Sequence, residues 1–351
     1  MPKIAIIGTT TWGITLGGML GGRKHEIRLW ARTKKEAEKL RKSESNPLPL
    51  NSAILSKQIS ITSSLDEALD DVKAVLLAVP SQSMRQNIRR IASHLESSML
   101  IVSAAKGLEA DTGKRMSQVI AEEVDPRFRT NICVLSGPNL SQEIRQNLPA
   151  ASVVAAENEA IARKAQRLLG TPNFCVYTNT DIIGVELGGA FKNVIALGAG
   201  IADGLGYGDN AKAAFITRGL TEMTALGAAL GADPLTFSGL AGLGDLIATC
   251  SSPLSRNHYV GVELARGRSL KKITRSMSGV AEGVTTALAV WNLAKQRGLE
   301  MPITEKICQV LYEGLKPRQA ATDLMMAEVK HELAGRRWRL FSYLRRKKDS
   351  G

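Results

Sequence analysis

The hydrophobic pattern of the chain changes near residue 180. Before that point, short runs of β-branched and other apolar residues are separated by segments with helical spacing, such as 83–95 and 117–124. The apolar runs predict strands at 3–7, 27–30, 72–79, 99–103, 132–136 and 151–155. Strands that alternate with helices predict a doubly wound, parallel α/β sheet.

After residue 180 the chain is rich in Ala, Gly and Leu, and its apolar positions recur every three or four residues. This spacing predicts helices at 184–202, 210–230, 257–266, 280–297 and 302–314. Glycine-rich breaks at 204–208 and 239–244 are typical of turns. We therefore expect a sheet domain over 1–180, an all-helical domain over 181–330 and a tail over 331–351.

The predicted helix 184–202 is apolar on most of its surface, yet it has Lys192 near its centre. Removing an ammonium group from water is costly unless the charge is paired or used. Lys192 is therefore a candidate functional residue. The alternative is that its stem covers apolar surface while its head reaches water. Glycines at 188, 189 and 198 suggest close contacts with neighbouring helices.

The first predicted strand leads into a turn with Gly8 and Gly13, then a helix and a second strand. This is the context of a dinucleotide-binding turn, although its middle glycine is Thr10, whose Cβ we expect to weaken or displace the cofactor. Arg32 lies just after the second strand, and no acid follows until Glu36. An arginine there fits the 2′-phosphate of NADP, so we favour NADP slightly over NAD; a solvated basic helix start is the alternative.

Ligands of doubly wound sheets bind beyond the carboxyl ends of the strands. Lys106 follows the predicted strand 99–103, and Gly137 follows the strand 132–136. Lys106 therefore places a cation where a ligand is expected, unless it is an exposed loop lysine.

Composition restricts the classes of function. The chain has 351 residues, of which 44% are hydrophobic and 23% charged, as in a two-domain globular protein. Only 4% are aromatic, which argues against a nucleic-acid binder that works by base stacking. No apolar run reaches the roughly 18 residues of a membrane span. The four cysteines lack CxxC spacing, so we predict free thiols, no metal site and a cytoplasmic protein.

The net charge of +13 is unevenly distributed. From residue 335 onward seven Arg and Lys face Asp349 alone, which is a local excess of six positive charges. The rest suits anionic small molecules. Aromatic and leucine residues lie among the basic ones over 336–348, so the tail is either a disordered basic segment or one that rests weakly on anionic lipid.

Several segments resemble one known family, the bacterial-type NAD(P)-dependent glycerol-3-phosphate dehydrogenases. The matching segments are 8–13, 78–81, 106–107, 136–138, 186–193, 203–212, 239–246, 255–257 and 279–283. The resemblance runs over roughly residues 1–330 and is most specific between 184 and 257. It implies a Rossmann-type sheet domain followed by a helical domain like the C-terminal one of 6-phosphogluconate dehydrogenase. We expect a homodimer.

The resemblance implies reversible reduction of dihydroxyacetone phosphate to sn-glycerol 3-phosphate, at the entry to phospholipid synthesis. By the same resemblance Lys192 is the acid/base at the substrate oxygen, Lys106 touches substrate and cofactor, and Asp245 holds a glycerol hydroxyl. The resemblance also implies that Ser255, Arg256 and Asn257 bind the substrate phosphate. The other implied substrate contacts are Gly137, Asn139 and Asn193. The implied cofactor contacts are Gly8, Thr11, Trp12, Gly13, Arg32, Lys106, Ser141, Arg256, Val280 and Glu282.

Besides Thr10 in the Gly8–Gly13 turn, the chain departs from the family pattern at three places. Asn139 and Ser141 stand where the family has Ser or Thr and Ala, and the segment 44–51 matches only loosely. Two alternative functions therefore stay open: a related dehydrogenase of hydroxy acids, and a degenerate dinucleotide-binding sensor or scaffold. The Ser255–Asn257 segment favours a phosphate over a carboxylate. Retention of Lys192 argues against a pure binding protein, which needs no buried proton donor.

Overall fold

The computed structural model describes residues 1–23, 25–42, 58–277 and 279–326. Within these ranges one eight-stranded sheet has the order β3-β2-β1-β4-β5-β6-β7-β8. Its strands are β1 (Lys3–Ile7), β2 (Glu26–Trp30), β3 (Ile59–Thr62), β4 (Ala74–Leu77), β5 (Leu100–Ser103), β6 (Ile132–Ser136), β7 (Ala150–Ala155) and β8 (Phe174–Asn179). The first six strands have the 3-2-1-4-5-6 order of dinucleotide-binding sheets, which confirms the predicted fold class.

All six predicted strands are present, but the expectation of a wholly parallel sheet is wrong at one place. Strand β7 runs antiparallel to β6, while β8 is parallel to β7. The link over 137–149 has a single five-residue helix and stays at the carboxyl edge of the sheet. A parallel return would need a crossover to the opposite edge. The pattern also missed the two edge strands: β3, which alternates apolar and polar residues over only four positions, and β8, whose apolar run at 174–177 was not included among the predicted strands.

Helices cover both faces of the sheet. Alternate residues of a strand point to opposite faces. Ile4 and Ile6 of β1 therefore pack in one core and Ala5 and Ile7 in the other. The helices of this half are α1 (Thr11–Gly21), α2 (Lys34–Lys42), α3 (Leu65–Leu69), α4 (Met84–Ile91), α5 (Met116–Glu123), α6 (Ser141–Arg145) and α7 (Glu159–Leu169).

The second half is helical and surrounds one central helix. Its helices are α8 (Ile182–Gly204), α9 (Gly208–Ala229), α10 (Asp245–Ser251), α11 (Arg256–Ala265), α12 (Leu270–Ser276), α13 (Glu282–Gln296), α14 (Pro302–Tyr312) and α15 (Pro317–Met326). Helix α8 is long and apolar enough to cross a bilayer, but it lies in the core against α9, α10, α11 and α13. The division into two domains at residue 180 stays a prediction. The predicted tail over 331–351 and the segment 44–51 lie outside the described residues.

Glycines let the neighbours of α8 approach its backbone. A Cβ on Gly198 would lie 2.1 Å from the ring of Phe215 on α9, and one on Gly200 would lie 2.1 Å from the carbonyl oxygen of His258 on α11. The close helix contacts predicted from the glycines of this helix are therefore confirmed.

A buried carboxylate joins α9 to the start of α14. Glu222 is 5% exposed and accepts hydrogen bonds from the backbone N–H of Ile303 at 2.7 Å and of Thr304 at 3.1 Å. Its second oxygen also accepts the hydroxyl of Thr304 at 2.7 Å. Burial raises the pKa of Glu222 from 4.5 to about 7, against the opposing effect of these donors.

We expect the free energy of unfolding of the wild type, relative to Glu222→Gln, to fall as pH rises from about 4.5 to about 7. Between these values the folded state holds a proton that the unfolded state has lost, so raising the pH favours unfolding. The slope approaches about 1.4 kcal/mol per pH unit and vanishes above the folded pKa. Denaturant midpoints of both proteins from pH 5 to pH 8 measure it, and a pH-independent difference would contradict the account.

Candidate active site

Lys192 lies in the interior and its head does not reach the surface. The residue is 7% exposed, and its Nζ donates to Oδ1 of Asp245 at 2.6 Å and to the hydroxyl of Thr249. The alternative of a stem that covers apolar surface beneath a solvated head is therefore excluded. An ammonium group buried in this way requires the carboxylate beside it.

The same carboxylate pairs with the second lysine. Lys106 follows β5, and its Nζ donates to Oδ2 of Asp245 at 2.7 Å and to the carbonyl oxygen of Gly137 at 2.6 Å. Its side chain is 16% exposed, so it is not an exposed loop lysine, and Asp245 is 1% exposed. Two ammonium groups and one carboxylate leave one net positive charge, which suits an anionic ligand.

The pKa of Lys106 reflects opposing effects of burial and of the neighbouring charges. Burial lowers it to about 8, with Lys192 adding to the effect, while the negative charge of Asp245 acts in the opposite direction. Lys106 is thus mainly protonated at neutral pH and loses its charge a little above it.

Each lysine keeps one donor for a ligand. An ammonium group has three N–H donors. Among the described residues, Lys192 uses two on Asp245 and Thr249, and Lys106 uses two on Asp245 and Gly137. The site therefore offers two positively charged donors, one from each half of the chain.

The segment before α10 directs Asp245 at the lysines. Residues Leu240–Gly244 form a π-helical turn that continues into α10, where a simple turn was expected. A Cβ on Gly188 of α8 would lie 2.5 Å from the carbonyl oxygen of Ala241, so this turn packs directly on the lysine-bearing helix. Thr249 follows Asp245 by four residues and shares its face of α10. That spacing was the only signal for Thr249, which the sequence reasoning missed.

A chain of amides joins the lysines to α11. Asn193 donates to the carbonyl oxygen of Lys106 at 3.4 Å, and Asn257 donates to the side-chain oxygen of Asn193 at 2.8 Å. The side-chain oxygen of Asn257 in turn accepts the N–H of Gly283 at 2.9 Å. These hydrogen bonds fix the start of α11, which carries the residues predicted for the substrate phosphate, relative to the two lysines.

The start of α11 is open to an anion. Ser255 caps the helix by accepting the N–H of His258 at 3.2 Å. The Arg256 side chain is exposed, and its charge acts on the carboxyl of Glu282, whose pKa it lowers against the larger effect of burial. Gly279 has a φ of +107°, and a Cβ there would lie 2.3 Å from Nη1 of Arg256. A helix N-terminus beside an exposed guanidinium is a suitable site for a phosphate.

The dinucleotide turn has the predicted backbone, and its threonine caps a helix. Gly8 has a φ of +116°, and a Cβ on Gly13 would lie 2.2 Å from the carbonyl oxygen of Gly8. Thr10 has an ordinary extended conformation; its hydroxyl accepts the N–H of Gly13 at 3.1 Å and donates to Ala78 at 2.6 Å. Thr10 is therefore the N-cap of α1, and its effect on cofactor affinity stays a prediction.

The acidic side chain nearest the end of β2 already accepts hydrogen bonds from within the chain. Glu36 accepts the backbone N–H of Arg32 at 3.0 Å and the hydroxyl of Thr9. The Arg32 side chain is exposed. A carboxylate that is bonded within the chain is poorly available to a ribose hydroxyl, whereas an exposed arginine can meet a 2′-phosphate.

The remaining predicted cofactor residues lie around the carboxyl edge of the sheet. Glu282 accepts the N–H and the hydroxyl of Ser81, just after β4, and burial raises its pKa. Val280 is 45% exposed, and both Thr11 and Trp12 are accessible at the start of α1.

Asn139 and Ser141, which depart from the family pattern, lie in the link between β6 and β7. The side-chain oxygen of Asn139 accepts the hydroxyl of Ser152 at 2.8 Å, and its Nδ2 is buried without a partner among the described residues. Ser141 begins α6, which packs on α1. In the part of the chain that the structure describes, no group of three His, Cys, Asp or Glu could hold a metal ion.

Comparison with known proteins places this geometry in a family. Models of the N-terminus and the C-terminus of NAD-dependent glycerol-3-phosphate dehydrogenase match residues 3–162 and 181–322. A glycerol-3-phosphate dehydrogenase, NAD(P)+, of Dehalococcoides mccartyi strain 195 is 60% identical over 99% of this chain and 97% of its own. One from Geobacter metallireducens is 46% identical over 94% and 98%.

A solved structure has the same fold over nearly the whole chain. The glycerol-3-phosphate dehydrogenase of Coxiella burnetii has a TM-score of 0.85 and 33% identity, and the match covers 93% of this chain and 99% of that one. The chain belongs to the NAD-dependent glycerol-3-phosphate dehydrogenase family.

Proposed function

We propose that this protein reversibly reduces dihydroxyacetone phosphate to sn-glycerol 3-phosphate with NADH or NADPH, and so supplies glycerophospholipid synthesis. Family membership supports the reaction. The observation that carries the proposal is the pair of buried lysines on Asp245, each with one N–H donor left for a ligand. A binding protein has no need of buried proton donors, so the sensor or scaffold alternative is not favoured.

The residues at the carboxyl edge fit a dinucleotide. Gly8 and Gly13 allow the tight turn, α1 directs its N-terminus at the pyrophosphate position, and Thr11 and Trp12 are accessible beside it. When bound, the reduced nicotinamide supplies a hydride to the carbonyl carbon of the substrate. The carboxylate of Glu36 is hydrogen-bonded within the chain and the Arg32 side chain is exposed, which supports a preference for NADP.

Lys192 is the proposed acid at the reacting oxygen. As the carbonyl becomes an alkoxide, negative charge grows on its oxygen, and the third N–H of Lys192 can stabilise that charge and then give up its proton. Asp245 and Thr249 hold the ammonium group so that this donor has one direction. In oxidation the neutral amine takes the proton back.

Lys106 and Asp245 are proposed to position the substrate. The free N–H of Lys106 reaches a second substrate oxygen, which orients the ketone between the two lysines. Because both oxygens of Asp245 already accept from lysines, its main task is to balance their charges. A glycerol hydroxyl can share this carboxylate, as the resemblance implied, and Gly137 and Asn139 border the same position.

The proposed phosphate subsite is the start of α11. Arg256 supplies a permanent charge with paired donors, and the first N–H groups of the helix add to it. Ser255 and Asn257 shape this turn through their contacts with His258 and Gly283. A related dehydrogenase of hydroxy acids would have no use for a second anion subsite, which is why we favour a phosphorylated substrate.

We also propose a homodimer in the cytoplasm, on the strength of the family resemblance alone; light scattering of the purified protein tests the dimer. The basic tail, with its aromatic residues, is proposed to contact anionic lipid weakly. Removing 335–351 is expected to reduce co-sedimentation with anionic liposomes. Equal binding of the full and shortened chains would end that proposal.

The reaction itself is tested by the absorbance of NADPH or NADH at 340 nm with dihydroxyacetone phosphate. Lys192→Met keeps an unbranched side chain that lacks only the terminal ammonium group, so it removes the proton donor. We expect it to lower kcat by about 100-fold or more, the usual contribution of a positioned general acid. A folded wild type that oxidises neither cofactor would contradict the proposed function.

Arg256→Gln is the matched variant for the phosphate subsite. It should raise KM for dihydroxyacetone phosphate by about tenfold or more, because a charge-assisted hydrogen bond is lost. Its activity on dihydroxyacetone, which has no phosphate, should stay close to that of the wild type. An equal loss on both substrates would instead place Arg256 outside the phosphate subsite.

A further inference from the structure

A cavity lies at the amino edge of the sheet, opposite the lysine site. It has a volume of about 340 Å³, within the range of small-molecule sites. Four basic residues line it, and no acidic residue does. They are Arg23, Lys73, Lys164 and Arg167.

Three of these cations have no carboxylate partner in the described chain. Arg23 donates to the carbonyl oxygen of Arg167, and Lys164 donates to that of Ser98 at 3.2 Å, which fixes their heads without neutralising them. Only Lys73 pairs with an acid, Asp71, at 3.1 Å. Cations that line one cavity repel one another, so the cavity is a positively charged site that an anion would stabilise.

A buried histidine in the cavity wall provides an independent observation. His25 is 6% exposed, and its Nε2 lies 3.1 Å from the carbonyl oxygen of Leu168, which also lines the cavity. Its Nδ1 is buried and has no hydrogen-bond partner among the described residues. With Nε2 donating to a carbonyl, Nδ1 is left as the atom that can take a proton when the charge in the cavity changes.

We propose that this amino-edge cavity binds a phosphorylated small molecule, held by Arg23, Lys164 and Arg167, with His25 in the wall behind it. Guanidinium groups match phosphate oxygens with paired donors, and the lysine adds a point charge. The apolar side chains of Leu100 and Leu168 form part of the wall and suit a small carbon skeleton. The cavity is small, which favours a metabolite over a nucleic acid or a lipid surface.

The surroundings of His25 favour the neutral ring. Burial lowers its pKa, and the charges of Arg23 and of the amino group of Met1 lower it further, against the opposing effect of the carbonyl oxygen of Leu168. Lys73, Lys164 and Arg167 face the same cavity. An anion among these cations should reverse the balance and favour the protonated ring.

Histidine-selective nitrogen NMR tests the proposal, with inorganic pyrophosphate as the probe at pH 7. The chain has four histidines, and His25→Gln assigns the signal of interest. We expect pyrophosphate to move Nδ1 of His25 to the protonated position. His258, which follows the proposed phosphate subsite, reports binding there as an internal control.

The double variant Lys164→Gln/Arg167→Gln should weaken the His25 response by about tenfold or more in pyrophosphate concentration, since two charged donors are lost. Both side chains are exposed on α7, so folding should be unaffected. Arg163→Gln, on the same helix but outside the cavity, should leave the response unchanged. A His25 signal that does not respond, or one that responds equally in the double variant, would overturn the proposal, whatever happens at His258.

Discussion

Burying two ammonium groups beside one carboxylate is the constraint on which the rest of the structure depends. Neither Lys106 nor Lys192 could stay charged in the interior alone, because desolvation costs several kcal/mol per ion. Asp245 stabilises both, one on each oxygen. Since Lys106 comes from the sheet half and Lys192 from the helical half, this contact also joins the two halves at the site.

The architecture around that contact keeps it in place. Helix α8 is buried along most of its length, so Lys192 has little freedom to move. The π-helical turn before α10 lies on the glycine face of α8 and sets the position of Asp245. The hydrogen bond between the amides of Asn257 and Asn193 fixes the start of α11 against α8 in the same way. The site therefore combines rigid elements with donors that are left over after these contacts are made.

Local patterns predicted much of this arrangement. Apolar spacing located α8, and the position of Lys192 within it marked a charge that needed a partner. The antiparallel turn of β7 could not be predicted, because strand direction depends on where the connection runs and not on the residues of the strand. Thr249 was missed because its partner, Lys192, is 57 residues away along the chain. The weaker cofactor binding predicted for Thr10 rested on the glycine that it replaces, and the pattern did not indicate that its hydroxyl caps α1.

The most direct test of the central contact is the affinity for dihydroxyacetone phosphate as a function of pH, measured by calorimetry for the wild type and Asp245→Asn. Wild-type affinity should fall as pH rises through about 8, where Lys106 loses its proton. Because the carboxylate of Asp245 raises the pKa of Lys106, the fall in Asp245→Asn should begin at a lower pH. A fall at the same pH in both proteins would contradict the role assigned to Asp245.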